Sequence, residues 1–320
     1  MPDQSGAWPD VVYEIPGGGW ANTIFSNRLI LATVGKVYVW DALPLNGELP
    51  SRALGSPIGS VPLDQPRGVA LDANYFYLAD YNAQRVQVWA GIPGATDNPV
   101  ATIDPGGRPG RIASDGNFLA VPVEGPPHSV KLYSVAGLPA NVAPVRSIQT
   151  GQVQLNLPAG CALSHGRLFI ADTSFNRVLC WSNVNDAVNG AAPDIVLGAA
   201  TLLDRTPEIG RDKSFMPGAV NFDGQYLWVG EFKFSSRLLR YSPGSGARSA
   251  VNLAGPLAAT GGSFSARVTG SPGQRCELQT SADLVNWRIA GFRGLPADGS
   301  PLSISIPEET NRLFLRARSY

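Results

Sequence analysis

The sequence predicts an all-β chain of many short strands, on three observations. Gly 36 and Pro 27 together make up about a fifth of the 320 residues, more than ordinary usage supplies, so the chain turns often. Seven Trp, nine Tyr and twelve Phe sit among those turns, the residue types that favour a pleated, half-buried surface. Apolar residues come in short alternating runs of period two, the signature of strands. No run reaches the roughly 18 residues of a membrane-crossing helix, so no membrane insertion is expected. The length alone favours about two domains.

Composition also narrows the function classes. Lys+Arg and Asp+Glu both number 25 and the formal net charge is zero, which excludes a general nucleic-acid binder with its basic excess. Apolar residues at 44% against charged ones at 16% exclude disorder. The opening Met1-Pro2-Asp3-Gln4-Ser5-Gly6 has neither a basic n-region nor an apolar h-region, so no signal peptide is read there. Three cysteines, Cys161, Cys180 and Cys276, contain no CxxC and make no disulfide framework.

An internal repeat organises the first three quarters of the chain. Five segments end in a short strand closed by an aromatic: Val37–Trp40, Val86–Trp89, Val130–Tyr133, Val178–Trp181 and Leu238–Tyr241, with the aromatics 49, 44, 48 and 60 residues apart. Upstream of each lies a second strand (Leu29–Ala32, Phe76–Ala79, Phe118–Val121, Leu168–Ala171, Tyr226–Val229). Before that comes a strand of small residues after proline, as in Pro66–Ala70, Pro158–Ala162 and Pro217–Asn221. After each of the first four aromatics comes a proline with an apolar residue four positions on, Pro50/Leu54, Pro99/Ile103, Pro144/Ile148 and Pro193/Leu197. A proline is tolerated as the first residue of a strand, where its missing N–H lies outside the ladder. Each period thus holds four strands, a to d, and the small residues of strand a suit the crowded position beside a central channel.

The stretch Pro66-Arg-Gly-Val-Ala-Leu-Asp72 followed by Tyr77-Leu-Ala-Asp80 and Arg85-Val-Gln-Val-Trp89 resembles the NHL repeat of β-propellers. The copy from Pro158 to Trp181 keeps Asp172 and Arg177, and the copy from Gly218 to Tyr241 keeps Glu231 and Arg237 with one inserted residue. The first and third copies depart, with Thr33 and Val123 in place of the acid. The resemblance covers residues 9–243 and implies a propeller, for which six blades is usual. The fifth copy has no Pro-led strand d, but Pro9-Asp-Val-Val-Tyr13 has the same proline-plus-four spacing. A propeller of five blades, closed by its N-terminal strand so that two sheet edges are covered, is therefore expected, with six blades as the alternative.

From Gly244 the period stops. Short alternating strands separated by turns such as Gly270-Ser-Pro-Gly273 predict a small β-sandwich over residues 247–320. Leu278-Gln-Thr-Ser281 through Trp287 and Arg312–Ala317 resemble a fibronectin-like C-terminal module of secreted bacterial proteins. That resemblance implies a secreted or periplasmic location.

Candidate chemistry is sparse. Asp80/Arg85, Asp172/Arg177 and Glu231/Arg237 recur with the repeat, so they are expected to be structural pairs across the b–c hairpin, joined by charge-assisted hydrogen bonds. His128 and His165 lie in different blades without ligand spacing, and Asn183–Gly190 lacks the final glutamate of an EF-hand. No metal site, cofactor or catalytic residue is assigned. Loops d–a and b–c gather on one face of a propeller, where they offer Trp20, Arg67, Arg111, Arg211, Lys213, Phe215, Lys233 and Phe234, with Asn22 and Asn221 just inside. The long Ala199–Met216 segment belongs to the same set, and long loops tend to carry function.

Arginines with aromatics suit an anionic small molecule, a glycan or a peptide. The expected function is a non-catalytic binding or interaction propeller, a monomer with a protein, glycan or small-molecule partner. The alternative is a propeller hydrolase or lyase using Asp72, Asp115 and Asp223 as channel carboxylates. Arg67 and Arg111 enter or immediately precede inner strands and stand outside the acid–arginine pairs. They are therefore expected to serve binding and to be dispensable to the fold.

The closure scheme carries a test. Deleting residues 1–15 uncovers strand edges, so the shortened chain is expected to aggregate or melt at lower temperature. An unchanged monomer with an unchanged melting temperature rejects the scheme.

Overall fold

The computed structural model describes residues 18–149, 153–210, 212–232, 235–241, 252–260, 263–269, 275–284, 288–296, 300–307 and 314–319. The chain divides into two compact units between Ser242 and Pro243.

The first unit is a five-bladed β-propeller of antiparallel sheets. Sheet 1 holds β1 (Gly19–Phe25), β2 (Arg28–Thr33), β3 (Lys36–Trp40) and β4 (Arg52–Leu54), and sheet 2 holds β5 (Pro66–Leu71), β6 (Phe76–Asp80), β7 (Arg85–Trp89) and β8 (Ala101–Ile103). In sheet 3 the inner strand is split into β9 (Arg108–Pro109) and β10 (Ala113–Ser114). Both pair with β11 (Phe118–Glu124), which is followed by β12 (Ser129–Ser134) and β13 (Arg146–Ile148). Sheet 4 holds β14 (Pro158–Ser164), β15 (Arg167–Asp172), β16 (Arg177–Trp181) and β17 (Ile195–Leu197). Sheet 5 shows β18 (Pro217–Phe222), β19 (Leu227–Glu231) and β20 (Leu238–Tyr241). The closing segment Pro9–Tyr13 lies outside the described residues.

Outer strands begin two residues after the prolines expected to open them, at Arg52, Ala101, Arg146 and Ile195. The prolines end the approaching loops instead, where no ladder bond asks for their missing N–H.

Period-two alternation puts both faces of the blades formed by sheets 2, 3 and 4 in the core, while sheets 1 and 5 each share one apolar cluster with a neighbour. On β6, Phe76 and Leu78 join the cluster shared with sheet 1, while Tyr77 and Ala79 join the one shared with sheet 3. On β15, Leu168 and Ile170 face sheet 3, and Phe169 packs with Phe222, Leu227 and Val229 of sheet 5. Strands buried on both sides have no solvent face to mark with polar residues, which is why they look almost continuously apolar.

The innermost strands crowd one another. A Cβ at Gly68 would lie 2.4 Å from the Gly110 carbonyl, one at Gly110 2.6 Å from that of Ala159, and one at Gly160 2.9 Å from that of Gly218. Only glycine permits this approach of backbone to backbone. Arg111 continues it with a parallel bridge to Gly160, donating N–H to the Ala159 carbonyl and accepting from Cys161 N–H.

The second unit contains two three-stranded antiparallel sheets. One has β21 (Asn252–Thr260), β22 (Ser263–Thr269) and β25 (Leu302–Pro307), and the other β23 (Arg275–Ser281) between β24 (Arg288–Gly294) and β26 (Phe314–Ser319). Val268, Cys276, Leu278 and Leu295 form its buried cluster. No helix among the described residues is long and apolar enough to cross a membrane.

The crowding predicts a sharp contrast between two glycines. Gly68→Ala forces a methyl group against backbone that cannot yield, and overpacking of this kind costs about 1–3 kcal/mol. Gly55→Ala meets nothing within 4 Å and is expected to leave the denaturation midpoint nearly unchanged.

Candidate functional site

A β-bulge opens the inner strand of sheets 1, 2, 4 and 5, between Gly19 and Ala21, Pro66 and Gly68, Pro158 and Gly160, and Pro217 and Ala219. Bulges re-aim side chains, and two of these bulged positions are Trp20 and Arg67. Arg67 lies between two rings, 4.3 Å from the Trp20 centroid and 3.6 Å from that of Tyr81. Arg108 stands 5.3 Å from the Tyr81 ring. The four side chains make a ladder of alternating aromatic and cation, a mutually attractive order. Tyr81 donates its hydroxyl to Glu124 at 2.8 Å. Burial and then Glu124 raise the Tyr81 pKa, which keeps the proton on the phenol.

A groove of about 410 Å³ runs beside this ladder, lined by Tyr81, Arg108, Glu124, Gly125 and His128 among others. His128 Nδ1 accepts the Gly125 N–H at 3.0 Å, which assigns the ring proton to Nε2. Arg108 is exposed at the groove.

The repeated acids and arginines hold the loops that carry these residues. Asp80 accepts the N–H of Asp64, Asp172 that of Asn156, and Glu231 that of Phe215, each sixteen residues upstream. The next residue in each case donates its own N–H to the residue before the inner-strand proline: Tyr81 to Gln65, Thr173 to Leu157, and Phe232 to Met216. Gln65, Leu157 and Met216 take left-handed backbone, with φ of 73°, 56° and 48°, so these bonds hold a conformation that L-residues otherwise avoid.

The arginines reach the same loops. Arg177 lies 2.8 Å from Asp172 with both side chains buried, and also donates to the Gln154 and Leu202 carbonyls. Arg237 binds both oxygens of Glu231 at 2.7 Å and the carbonyls of Gly210 and Lys213. Asp80 and Arg85 are cross-strand partners, but Arg85 donates to the Pro62 carbonyl, so here the hairpin pair acts through the loop rather than by a direct bond.

The expected mouth residues divide. Lys213 is committed within its own loop, 3.5 Å from Asp204 and 3.6 Å from Glu208. Phe215 serves through its backbone at Glu231. Arg211, Lys233 and Phe234 lie outside the described residues. Arg111 crosses the channel, its Nε donating to the Trp20 carbonyl at 2.8 Å and one Nη to the Gly218 carbonyl at 2.9 Å. It thereby ties sheet 3 to sheets 1 and 5. The expectation that Arg111 is dispensable to the fold is corrected: its loss leaves two carbonyls of distant blades without their donor. Asn22 and Asn221 line the channel cavity with it.

Tyr81 and Arg108 were not among the expected site residues. Tyr81 directly follows the repeated acid Asp80, which was a usable signal. Arg108 gave none, since the split of the inner strand in sheet 3 is invisible in the repeat.

The acids of the alternative reading cap turns. Asp72 accepts from the N–H groups of Asn74 and Tyr75 and from the hydroxyls of Tyr77 and Ser114. Asp115 accepts from the N–H groups of Asn117 and Phe118, and Asp223 from those of Gln225 and Tyr226 and from the Trp228 indole. Buried Cys161 and Cys180 are thiols whose pKa burial raises, that of Cys180 to about 12, so neither is a nucleophile. No three His, Cys, Asp or Glu side chains gather as a metal site among the described residues.

No established protein family matches the sequence, and no characterised protein is significantly similar to it. Solved structures with a related chain path include a nidogen/laminin complex, at 16% identity and a TM-score of 0.47 over 68% of this chain and 72% of that one. Another is the glutaminyl cyclase of Myxococcus xanthus, at 14% identity and a TM-score of 0.41 over 67% of this chain and 85% of that one.

The buried pair predicts a pH-dependent defect. Burial holds the Asp172 carboxyl up at about 6 against the pull of Arg177. Arg177→Ala leaves that carboxylate unpaired, and breaking a buried pair costs about 3–5 kcal/mol. A carboxyl raised in the fold gains stability as pH falls through its folded pKa and loses it as pH rises. Chemical denaturation of the variant should therefore show its largest deficit above about pH 7, shrinking toward about pH 5.

Proposed function

We propose that this chain is a non-catalytic binding propeller whose d–a and b–c loop face receives an anionic group of an extended ligand, a glycan or a peptide. The observation that carries this reading is the ladder of Trp20, Arg67, Tyr81 and Arg108 ending in an exposed guanidinium at the groove. The stacked rings fix Arg67 and align Tyr81, so a ligand meets donors already in place, and preorganisation of that kind favours affinity. Arg108 supplies charge with two edges of donors, while Glu124 and His128 supply the polar contacts that set orientation. Zero net charge does not oppose this, because a local cluster focuses field whatever the total.

The hydrolase or lyase reading has little support. Its three carboxylates accept hydrogen bonds from their own turns, which commits them to structure. The resemblance of the tail to a module of secreted bacterial proteins supports a location outside the cytoplasm, with the propeller as a monomeric binding head and the tail as a small sandwich.

Binding of acidic oligosaccharides and acidic peptides, each against a neutral counterpart, tests the proposal. Arg108→Ala is expected to weaken acidic ligands by about tenfold or more, the size of a charge-assisted hydrogen bond, with an unchanged melting temperature. The affinity should fall as salt rises. Equal binding of acidic and neutral ligands, or indifference to Arg108→Ala, overturns it.

A further inference from the structure

The channel itself is a separate cavity of about 630 Å³, walled by inner-strand residues of all five sheets. It runs from Trp20 and Arg111 to Phe25, Ser114, Ser164 and Phe222, the residues beside the a–b turns, and continues along sheet 5 past Trp228, Gly230 and Leu238. We propose that this cavity is a second binding site, for a small hydroxylated carboxylic acid of the uronic or aldonic acid class.

Three polar groups line it with hydrogen-bonding capacity left over among the described residues. Arg111 is the one charged residue among the described lining residues. Its Nε and one Nη are committed to the Trp20 and Gly218 carbonyls, and the other Nη has no acceptor among the described residues. A guanidinium fixed by two backbone bonds holds its remaining donors in a rigid plane, the arrangement a carboxylate recognises. Burial pulls the Arg111 pKa below its ordinary value, as expected of a guanidinium short of water. Asn22 on β1 and Asn221 on β18 line the same cavity and are exposed to it. Neither amide makes a side-chain hydrogen bond among the described residues, so each offers a donor and an acceptor.

The rest of the wall sets the class of ligand. The Ser114 and Ser164 hydroxyls on the wall are bonded to Asp72 and His165, while the Trp228 ring and Ile24, 61% exposed, add apolar surface. Sugar acids present this same mixture of hydroxyls, C–H faces and one carboxylate. A fatty acid would leave both amides unpaired, which a site built to hydrogen-bond penalises. A neutral sugar would leave Arg111 without an anion. The volume lies within the range of small-molecule sites and suits one or two sugar units rather than a polymer. The groove of Tyr81 and Arg108 takes no part, so the two proposals stand or fall separately.

Calorimetric titration of the full chain with galacturonate and gluconate, against galactose and octanoate, tests the site. The acids are expected to bind at least about tenfold more tightly than either control. Arg111→Gln is expected to weaken them, but it also loosens the blades. Ile24→Trp, at an exposed position two residues from Asn22 on the same strand, narrows the cavity and should weaken acid binding with an unchanged melting temperature. Arg108→Ala should leave acid binding intact. Equal affinity for galactose and galacturonate overturns the proposal, as does equal affinity for octanoate. So does an absence of binding by either acid, or acid binding unaltered by both Arg111→Gln and Ile24→Trp. Acid binding lost in Arg108→Ala but kept in Ile24→Trp transfers the ligand to the groove.

Discussion

Backbone meeting backbone at the channel wall is the constraint on which the propeller depends. Where Gly68, Gly110 and Gly160 face the carbonyls of Gly110, Ala159 and Gly218, the gap to a notional Cβ is 2.4–2.9 Å, less than any side chain tolerates. The apolar clusters between sheets 1 and 2, 2 and 3, 3 and 4, and 4 and 5 pack behind this contact because the inner edges come this close. Larger residues there would spread the ring and open the four clusters between adjacent sheets, where packing at near-crystalline density tolerates little change.

The same crowding explains why the loops above the channel need clamps. A chain entering a tight inner strand has to turn sharply before its proline, and Gln65, Leu157 and Met216 do so in left-handed backbone. Acid and arginine from the b–c hairpin then meet the N–H and carbonyl groups that this turn leaves without ladder partners. One N–H of each loop is satisfied by the acid sixteen residues on in the same repeat, and such bonds help the buried Asp172–Arg177 ion pair persist at the core of a blade. The pair is thus part of the loop's architecture, and the mouth residues inherit their positions from it.

Arg111 links this scaffold to recognition. It sits in the gap between β9 and β10, where the inner strand of sheet 3 breaks, and its guanidinium reaches across to sheets 1 and 5. One side chain therefore ties three sheets together and lines the polar cavity along the inner strands, while the Tyr81–Arg108 groove lies apart from it.

Much of the architecture was legible in the sequence. The period between Trp40, Trp89, Tyr133, Trp181 and Tyr241, the small residues after Pro66, Pro158 and Pro217, and the recurring acids pointed to five blades, with six as the alternative, and to the inner strands of sheets 2, 4 and 5. These are local signals, repeated because each blade solves the same packing problem. Tertiary structure decided the rest. That Asp80, Asp172 and Glu231 address a loop sixteen residues back could not be read from hairpin spacing, because the hairpin partner is only five or six residues away and the nearness of the loop comes from the fold. That Lys213 is committed to Asp204 and Glu208 depends on how its own loop folds, and that Arg67 stacks on Trp20 and Arg111 spans the channel depends on contacts between blades. Such contacts join residues 47 to 107 positions apart, as Arg67 is from Trp20 and Arg111 from Gly218. The packing of one blade against another sets these distances, and no single repeat contains that information.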